Sequence, residues 1–145
     1  MSSLKKILET IKNIYAKITN LQTKITALES KTAETEWTTC TMQSGFTNGA
    51  LASAGNLMYM KTGKLVCIKG SCKGFNSDRV TCAQLPEGYR PSTRIDFYAG
   101  TSSNRIAKAM ITSGGYIQLL ADTNVNVNFD ENQWYSFCTA FVAEQ

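Results

Sequence analysis

From Leu4 to Leu28 the apolar residues recur at alternating spacings of three and four. Leu4, Ile11, Ile18 and Ile25 fall on one position, a, and Ile7, Ile14, Leu21 and Leu28 on the other, d. All eight then lie on one seam of an α-helix, which is the pattern of a coiled coil sustained over four heptads. At about 1.5 Å per residue the stretch is about 37 Å long, and a lone helix would leave the whole stripe in water. Other copies of the chain are the natural cover. Ile at both core positions, as at Ile11 and Ile14, favours three strands or more, whereas Ile18 with Leu21 and Ile25 with Leu28 suit two. No core Asn enforces a dimer, and Leu8 and Tyr15 at the flanking e position widen the apolar face. Lys24 at g faces Glu29 at e of a neighbouring helix, and Lys31 faces Glu36 in the same way, pairs that favour parallel, in-register strands. The pattern predicts a parallel trimeric stalk over residues 1–36, with a dimer as the alternative. A single amphipathic helix on a membrane would be expected to carry a strongly basic polar face and aromatic anchors. Here six Lys are interspersed with four Glu and many Thr and Asn.

The seam ends at Thr32 and Thr35, and from Trp37 the period shifts from 3.6 toward 2. Short runs of β-branched and aromatic residues are punctuated by Gly, Asn and Ser. Strands are predicted over 37–42, 57–61, 64–70, 79–84, 95–99, 105–112, 116–121 and 134–142, with a further one-sided strand around Val125 and Val127. The stretch 43–56 reads as loop, punctuated by Gly45, Asn48, Gly49 and Gly55. Thr62-Gly63 and Ser113-Gly114-Gly115 read as tight hairpin connections, and Leu85-Pro-Glu-Gly-Tyr-Arg-Pro91 as a turn. About eight short strands in residues 37–145 imply an all-β antiparallel head, a sandwich or jelly roll or else a barrel.

Composition narrows the chemistry. Of 145 residues, 15 are Lys or Arg and 11 Asp or Glu, giving a net charge of +4. The excess is shared between stalk and head, so no basic block marks a nucleic-acid surface. No stretch has the length and apolarity of a signal peptide or membrane span, and the expectation is a chain made and kept in solution, without membrane insertion. Histidine is absent, which removes the commonest general base and metal ligand. Cys40, Cys67, Cys72, Cys82 and Cys138 contain no CxxC pair and read as free, buried thiols of a protein made in a reducing compartment, not as a zinc set. Nothing in the chain calls for a metal or cofactor. A pair of carboxylates such as Asp96 with Asp122 would be needed for glycoside hydrolysis; solvated loop carboxylates are the commoner fate.

The order of these features resembles a known family. A coiled coil, a β domain opening on Trp37, Tyr59-Met-Lys-Thr-Gly-Lys-Leu-Val-Cys-Ile-Lys-Gly70, then Leu85-Pro-Glu-Gly-Tyr-Arg-Pro91, a Ser-Gly-Gly hairpin and an aromatic last strand are similar to the C-terminal head of tail-fibre and baseplate proteins from phages of Gram-positive bacteria. The resemblance implies a homotrimeric receptor-binding tip on a virion tail or baseplate, synthesised in the bacterial cytoplasm, whose heads grip host cell-wall or capsular polysaccharide without chemistry. A structural tip or connector contacting another tail or baseplate protein, a depolymerase and a host lectin are the alternatives.

The resemblance transfers no sugar-binding motif, so candidate site residues rest on chemistry alone. A sugar needs an aromatic face for its C–H side and polar side chains for its hydroxyls. Alternation through 94–98 places Arg94, Asp96 and Tyr98 on one face of a strand, and Asn104 and Arg105 in the loop beyond, with Ser102 and Ser103. Trp134 and Tyr135 point to opposite faces of the last strand, so at most one belongs to the core, and Trp134 is the candidate stacking platform. The bland reading of the Arg94 face is an ordinary solvated strand or a subunit contact, and that of Trp134 is a structural anchor.

Overall fold

In a computed structural model, residues 2–49, 51–102, 105–121 and 129–143 are described. The chain divides into two compact units, Met1–Ala33 and Glu34–Gln145.

The first unit is one helix, α1 (Ser3–Thr32). Ser2 caps it: its hydroxyl and carbonyl both receive the Lys5 amide, at 3.4 and 3.0 Å, satisfying a donor that has no partner inside the helix. Thr10, Thr19, Thr23, Thr26 and Thr32 each donate a hydroxyl to the carbonyl four residues back, at 2.9–3.1 Å, the local back-bond that satisfies a Thr hydroxyl within a helix. No residue of α1 is buried. The seam is open along its length, from 43% exposed at Ile11 to 79% at Leu4. No helix among the described residues is long and apolar enough to cross a membrane.

Among the described residues the second unit has nine strands: β1 (Thr38–Thr39), β2 (Thr47–Asn48), β3 (Met58–Thr62), β4 (Leu65–Lys73), β5 (Thr81–Gln84), β6 (Ile95–Thr101), β7 (Ile106–Ile111), β8 (Tyr116–Leu120) and β9 (Tyr135–Val142). They form one antiparallel sheet in the order β1-β3-β4-β9-β6-β7-β8-β5, with β2 also on β4. The sheet curls until its two ends meet. Beyond β1, Met42 bridges Ala83 of β5 and the Gln43 amide donates to the Cys82 carbonyl at 2.8 Å. Pairing starts at Glu34, which bridges Thr62, and at Thr35, whose amide donates to the Lys61 carbonyl.

Inward positions alternate along each strand and fill the curl. Val66 and Ile68 of β4, Ala107, Ala109 and Ile111 of β7, Ile117 and Leu119 of β8 and Phe137 and Phe141 of β9 share one core. Phe75, fully buried just past β4, stands against Phe46, Tyr135 and Phe137 with ring centroids 4.9, 5.2 and 6.3 Å away. Those separations fall in the range where edge-to-face pairs add to area burial. Tyr135 is thus the core member of the Trp134-Tyr135 pair.

Three expectations need correction. The stretch 43–56 contains β2, and the Asn48 side chain works as a piece of sheet, accepting from the Leu57 amide at 2.6 Å and donating to the Cys40 carbonyl at 3.3 Å. The first hairpin turns one residue later than read. Thr62 pairs with Leu65, and Gly63 takes the first central position with φ +58°, a conformation that β-branched Thr62 resists. The thiols are free, but only Cys40, Cys72 and Cys82 are buried; Cys67 is half-buried and Cys138 exposed, because both sit on outward positions of β4 and β9. The expected strand around Val125 and Val127 lies outside the described residues.

Candidate functional site

Asp96 and Tyr98 share the outward face of β6, as the alternation requires, and Arg94, the residue just before the strand, turns its side chain to the same face. Arg94 holds Asp96 in a fork, Nε to Oδ1 at 2.5 Å and Nη2 to Oδ2 at 2.8 Å. Lys108 of β7 adds its ammonium 3.6 Å from Oδ2. The Arg94 hydrogen bonds, with help from the charges of Arg94 and Lys108, hold the Asp96 carboxyl below the usual carboxylate range. Asp96 is therefore a fixed anion, the opposite of the raised pKa a general acid needs. Tyr98, 59% exposed, lies in register beside Lys108 and presents an open ring on the same face. The arrangement offers an aromatic surface flanked by cationic N–H donors and one ionised acceptor, which suits hydroxyl-rich ligands. The partner Asp122 considered for hydrolysis lies outside the described residues, as do Asn104 and Ser103. No group of three or more metal-ligating side chains occurs among the described residues.

Arg105 and Trp134 belong elsewhere. The Thr101 amide donates to the Arg105 carbonyl at 2.9 Å, closing the β6–β7 hairpin, and the Ser102 amide donates to the Trp134 carbonyl at 3.0 Å, tying that hairpin to the start of β9. Half-buried Trp134 carries the Lys73 ammonium 4.9 Å from its ring centroid, a cation–π arrangement that fixes the ring's angle. From Arg94 to Thr101 the strand spans about 23 Å at its usual rise. The candidate residues thus divide into a charged face around Arg94, Asp96, Tyr98 and Lys108, and a hairpin end around Arg105, Trp134 and Lys73.

The proline turn is architectural. Arg90 Nε returns to the Leu85 carbonyl at 2.9 Å, Lys61 Nζ donates to the Gly88 carbonyl at 2.8 Å, and Tyr89 stands edge-on to Tyr59 at 5.0 Å.

The chain shares its fold with a phage receptor binding protein. Its structure is similar to the crystal structure of the receptor binding protein (gp15) of Listeria phage PSA, with a TM-score of 0.64 over 100% of this chain and 89% of that one, at 17% sequence identity. No protein-family profile and no curated protein matches the sequence. At 17% identity the likeness is one of fold.

Sequence reasoning missed Lys108 and Lys73. Lys108 was legible in principle: it lies on the polar phase of β7, and pairing β6 with β7 through a short hairpin sets it diagonal to Asp96. Lys73 was not, because its nearness to Trp134 depends on β4 pairing with β9 across more than sixty residues.

Proposed function

We propose that this protein is a homotrimeric receptor-binding component of a phage tail or baseplate, which recognises a host cell-wall or capsular polysaccharide and performs no chemistry on it. The observation that carries the reading is the fold likeness to a phage receptor binding protein along the entire chain. The open heptad seam of α1 supports assembly through the helices. The Tyr98 face, with its ring beside Arg94, Asp96 and Lys108, is the surface best suited to sugar hydroxyls, and the Trp134 end is the second. Three such sites repeated on a virion raise avidity by about 10²–10⁴, so each site needs only weak affinity.

The test is binding of the full chain to purified wall polymers of the host, with competition of phage adsorption. Tyr98→Ala and Arg94→Ala are expected to abolish measurable binding if the charged face is the site, and Trp134→Ala if the hairpin end is. No binding by the native chain to any host polymer, together with no competition, would sink the adhesin reading.

A second reading is a structural tail protein, favoured by one observation. Leu65 and Val142, 46% and 63% exposed, lie side by side on the outside of the sheet. Recovery of a stoichiometric tail component with the chain, lost on Leu65→Asp, would favour it.

A further inference from the structure

Most aromatic rings of the head are already occupied by the fold. Its Phe rings are buried or half-buried, Tyr135 is buried, and Tyr59 and Tyr89 pack edge-on with centroids 5.0 Å apart. Trp37 and Trp134 are half-buried, and each carries a lysine: the Lys69 ammonium lies 4.0 Å from the Trp37 centroid and the Lys73 ammonium 4.9 Å from that of Trp134. Two rings remain open to water, Tyr98 at 59% exposure and Tyr116 at 42%. They stand on the same side of the sheet. Ala107, Ala109 and Ile111 of β7 and Ile117 and Leu119 of β8 point into the core, so Lys108, Met110, Tyr116 and Gln118 point out. The register sets Tyr98 and Asp96 of β6 beside Lys108 and Met110.

The two rings mark opposite corners of one patch. Tyr98 shares a row with Lys108 and Leu120, and the next row reads Asp96, Met110, Gln118, Thr81 across β6, β7, β8 and β5. Tyr116 stands one outward position further along β8. From Tyr98 to Tyr116 is thus about 13 Å along the strands and about 10 Å across them. Met110, only 5% exposed, lies low at the centre, a small apolar floor. To one side of it Asp96 is held by Arg94 and Lys108; to the other, Gln118 Nε2 donates to the Thr81 hydroxyl at 2.7 Å, which orients the amide. The Tyr116 ring is seated as well. It lies over Gly114, where a Cβ would stand 2.8 Å from its Cε2 atom, so the absence of a side chain there is what gives the ring its place. A ring and an amide held in advance lose less freedom when a ligand arrives.

We infer that the face from Tyr98 to Tyr116 is one extended glycan-binding surface, whose ligand is a run of several sugar units within a polysaccharide chain. This rests on the saccharide-binding reading above, and it separates an internal stretch of chain from a single terminal sugar as the thing recognised. One pyranose is too short to reach both tyrosines. A chain lying from one to the other stacks a C–H face on each ring, crosses Met110 with its apolar edge and meets Asp96 and Gln118 with its hydroxyls.

The experiment is calorimetric titration of the full chain with the purified host wall polysaccharide and with size-fractionated fragments from its partial hydrolysis. For the native chain, affinity is expected to rise with fragment length until both rings are spanned and then to level off. Tyr116→Ala is expected to weaken the longer fragments about tenfold, down to the affinity of the short ones, so that length no longer matters. Gly114→Ala, which unseats the ring without removing it, is expected to act in the same direction, and Tyr116→Phe, which keeps the ring, to bind as the native chain does. A length dependence that persists in Tyr116→Ala overturns the two-ring surface and leaves the saccharide reading standing. Native binding that is already complete with a single sugar unit does the same. No binding of the intact polysaccharide by the native chain overturns both.

Discussion

The helix and the head place their apolar residues in opposite ways. In α1 every Leu and Ile of the seam is exposed and nothing is buried; in the head, side chains from seven of the nine strands and the loops between them enclose Phe75, Tyr135 and Leu85 completely. The head encodes its own interior. The helix leaves its apolar seam open, and under the proposed assembly other copies of the chain cover it. Sequence periodicity alone distinguished the two, because a strict 3.5-residue repeat draws a narrow stripe with no partner nearby in the chain, while a two-residue repeat divides residues between a sheet's two faces.

The largest expected effect breaks the helix side of this contrast. Ile14→Asp puts one carboxylate per copy at the same level of a shared seam, where burying unpaired charge is prohibitive. The assembly is expected to fall to single chains by light scattering, with loss of most of the helical circular-dichroism signal, while the head keeps its near-ultraviolet signature. A variant that stays assembled would mean that the seam is not the contact. The head side breaks differently. Phe75→Ala removes the ring that Phe46, Tyr135 and Phe137 surround, and is expected to cost about 3–5 kcal/mol of head stability in denaturant titration, leaving helical assembly intact.

These two residues mark the limit of what was legible. Ile14 announces itself by its neighbours three and four away. Phe75 stands alone between Gly74 and Asn76, and its central place depends on contacts made after the sheet has curled. The same division runs through the fold. The strands of the main ladder and the Ser113-Gly114-Gly115 hairpin were readable from alternation and turn residues. The two-residue β2 was not, because its pairing with Lys73 and Cys72 is non-local. At the candidate site, alternation placed Arg94, Asp96 and Tyr98 on one face, but separating them from Arg105 and Trp134 required the length of β6.

A third effect sharpens the head's self-sufficiency through its buried thiols. Desolvation, then the neighbouring Cys72, pushes Cys40 up to about 12 from an ordinary 9.0, and burial likewise pushes Cys82 far up, with the Cys72 hydrogen bond adding to it. A thiol whose pKa is raised by folding contributes its full stability below pH 9. Above that the unfolded chain releases a proton that the folded chain retains, so stability falls as pH rises toward 12. Each such thiol steepens the loss by about 1.4 kcal/mol per pH unit. Cys40→Ala is expected to make the decline between pH 9 and 11 shallower, measured as denaturation midpoint against pH; an unchanged slope would mean that Cys40 ionises freely in the folded head.

The smallest effect lies on the surface, on the outward side of β6 and β7. Asp96 is held low by Arg94 and Lys108, so the cluster contributes stability above the ordinary carboxyl pKa of 3.8 and loses it as pH falls through the depressed value. The side chains of Arg94 and Asp96 are 48% and 40% exposed, and solvent screens most of their attraction. Asp96→Asn is therefore expected to cost only about 0.2–1 kcal/mol at neutral pH, a difference that shrinks as pH falls through the depressed pKa and the native carboxylate takes up its proton. A larger neutral-pH loss would mean that the cluster is part of the fold's support. A small stability change joined to a large loss of polysaccharide binding would mean that the fork between Arg94 and Asp96 is kept for its geometry, holding two cations and an anion at fixed positions beside the open ring of Tyr98.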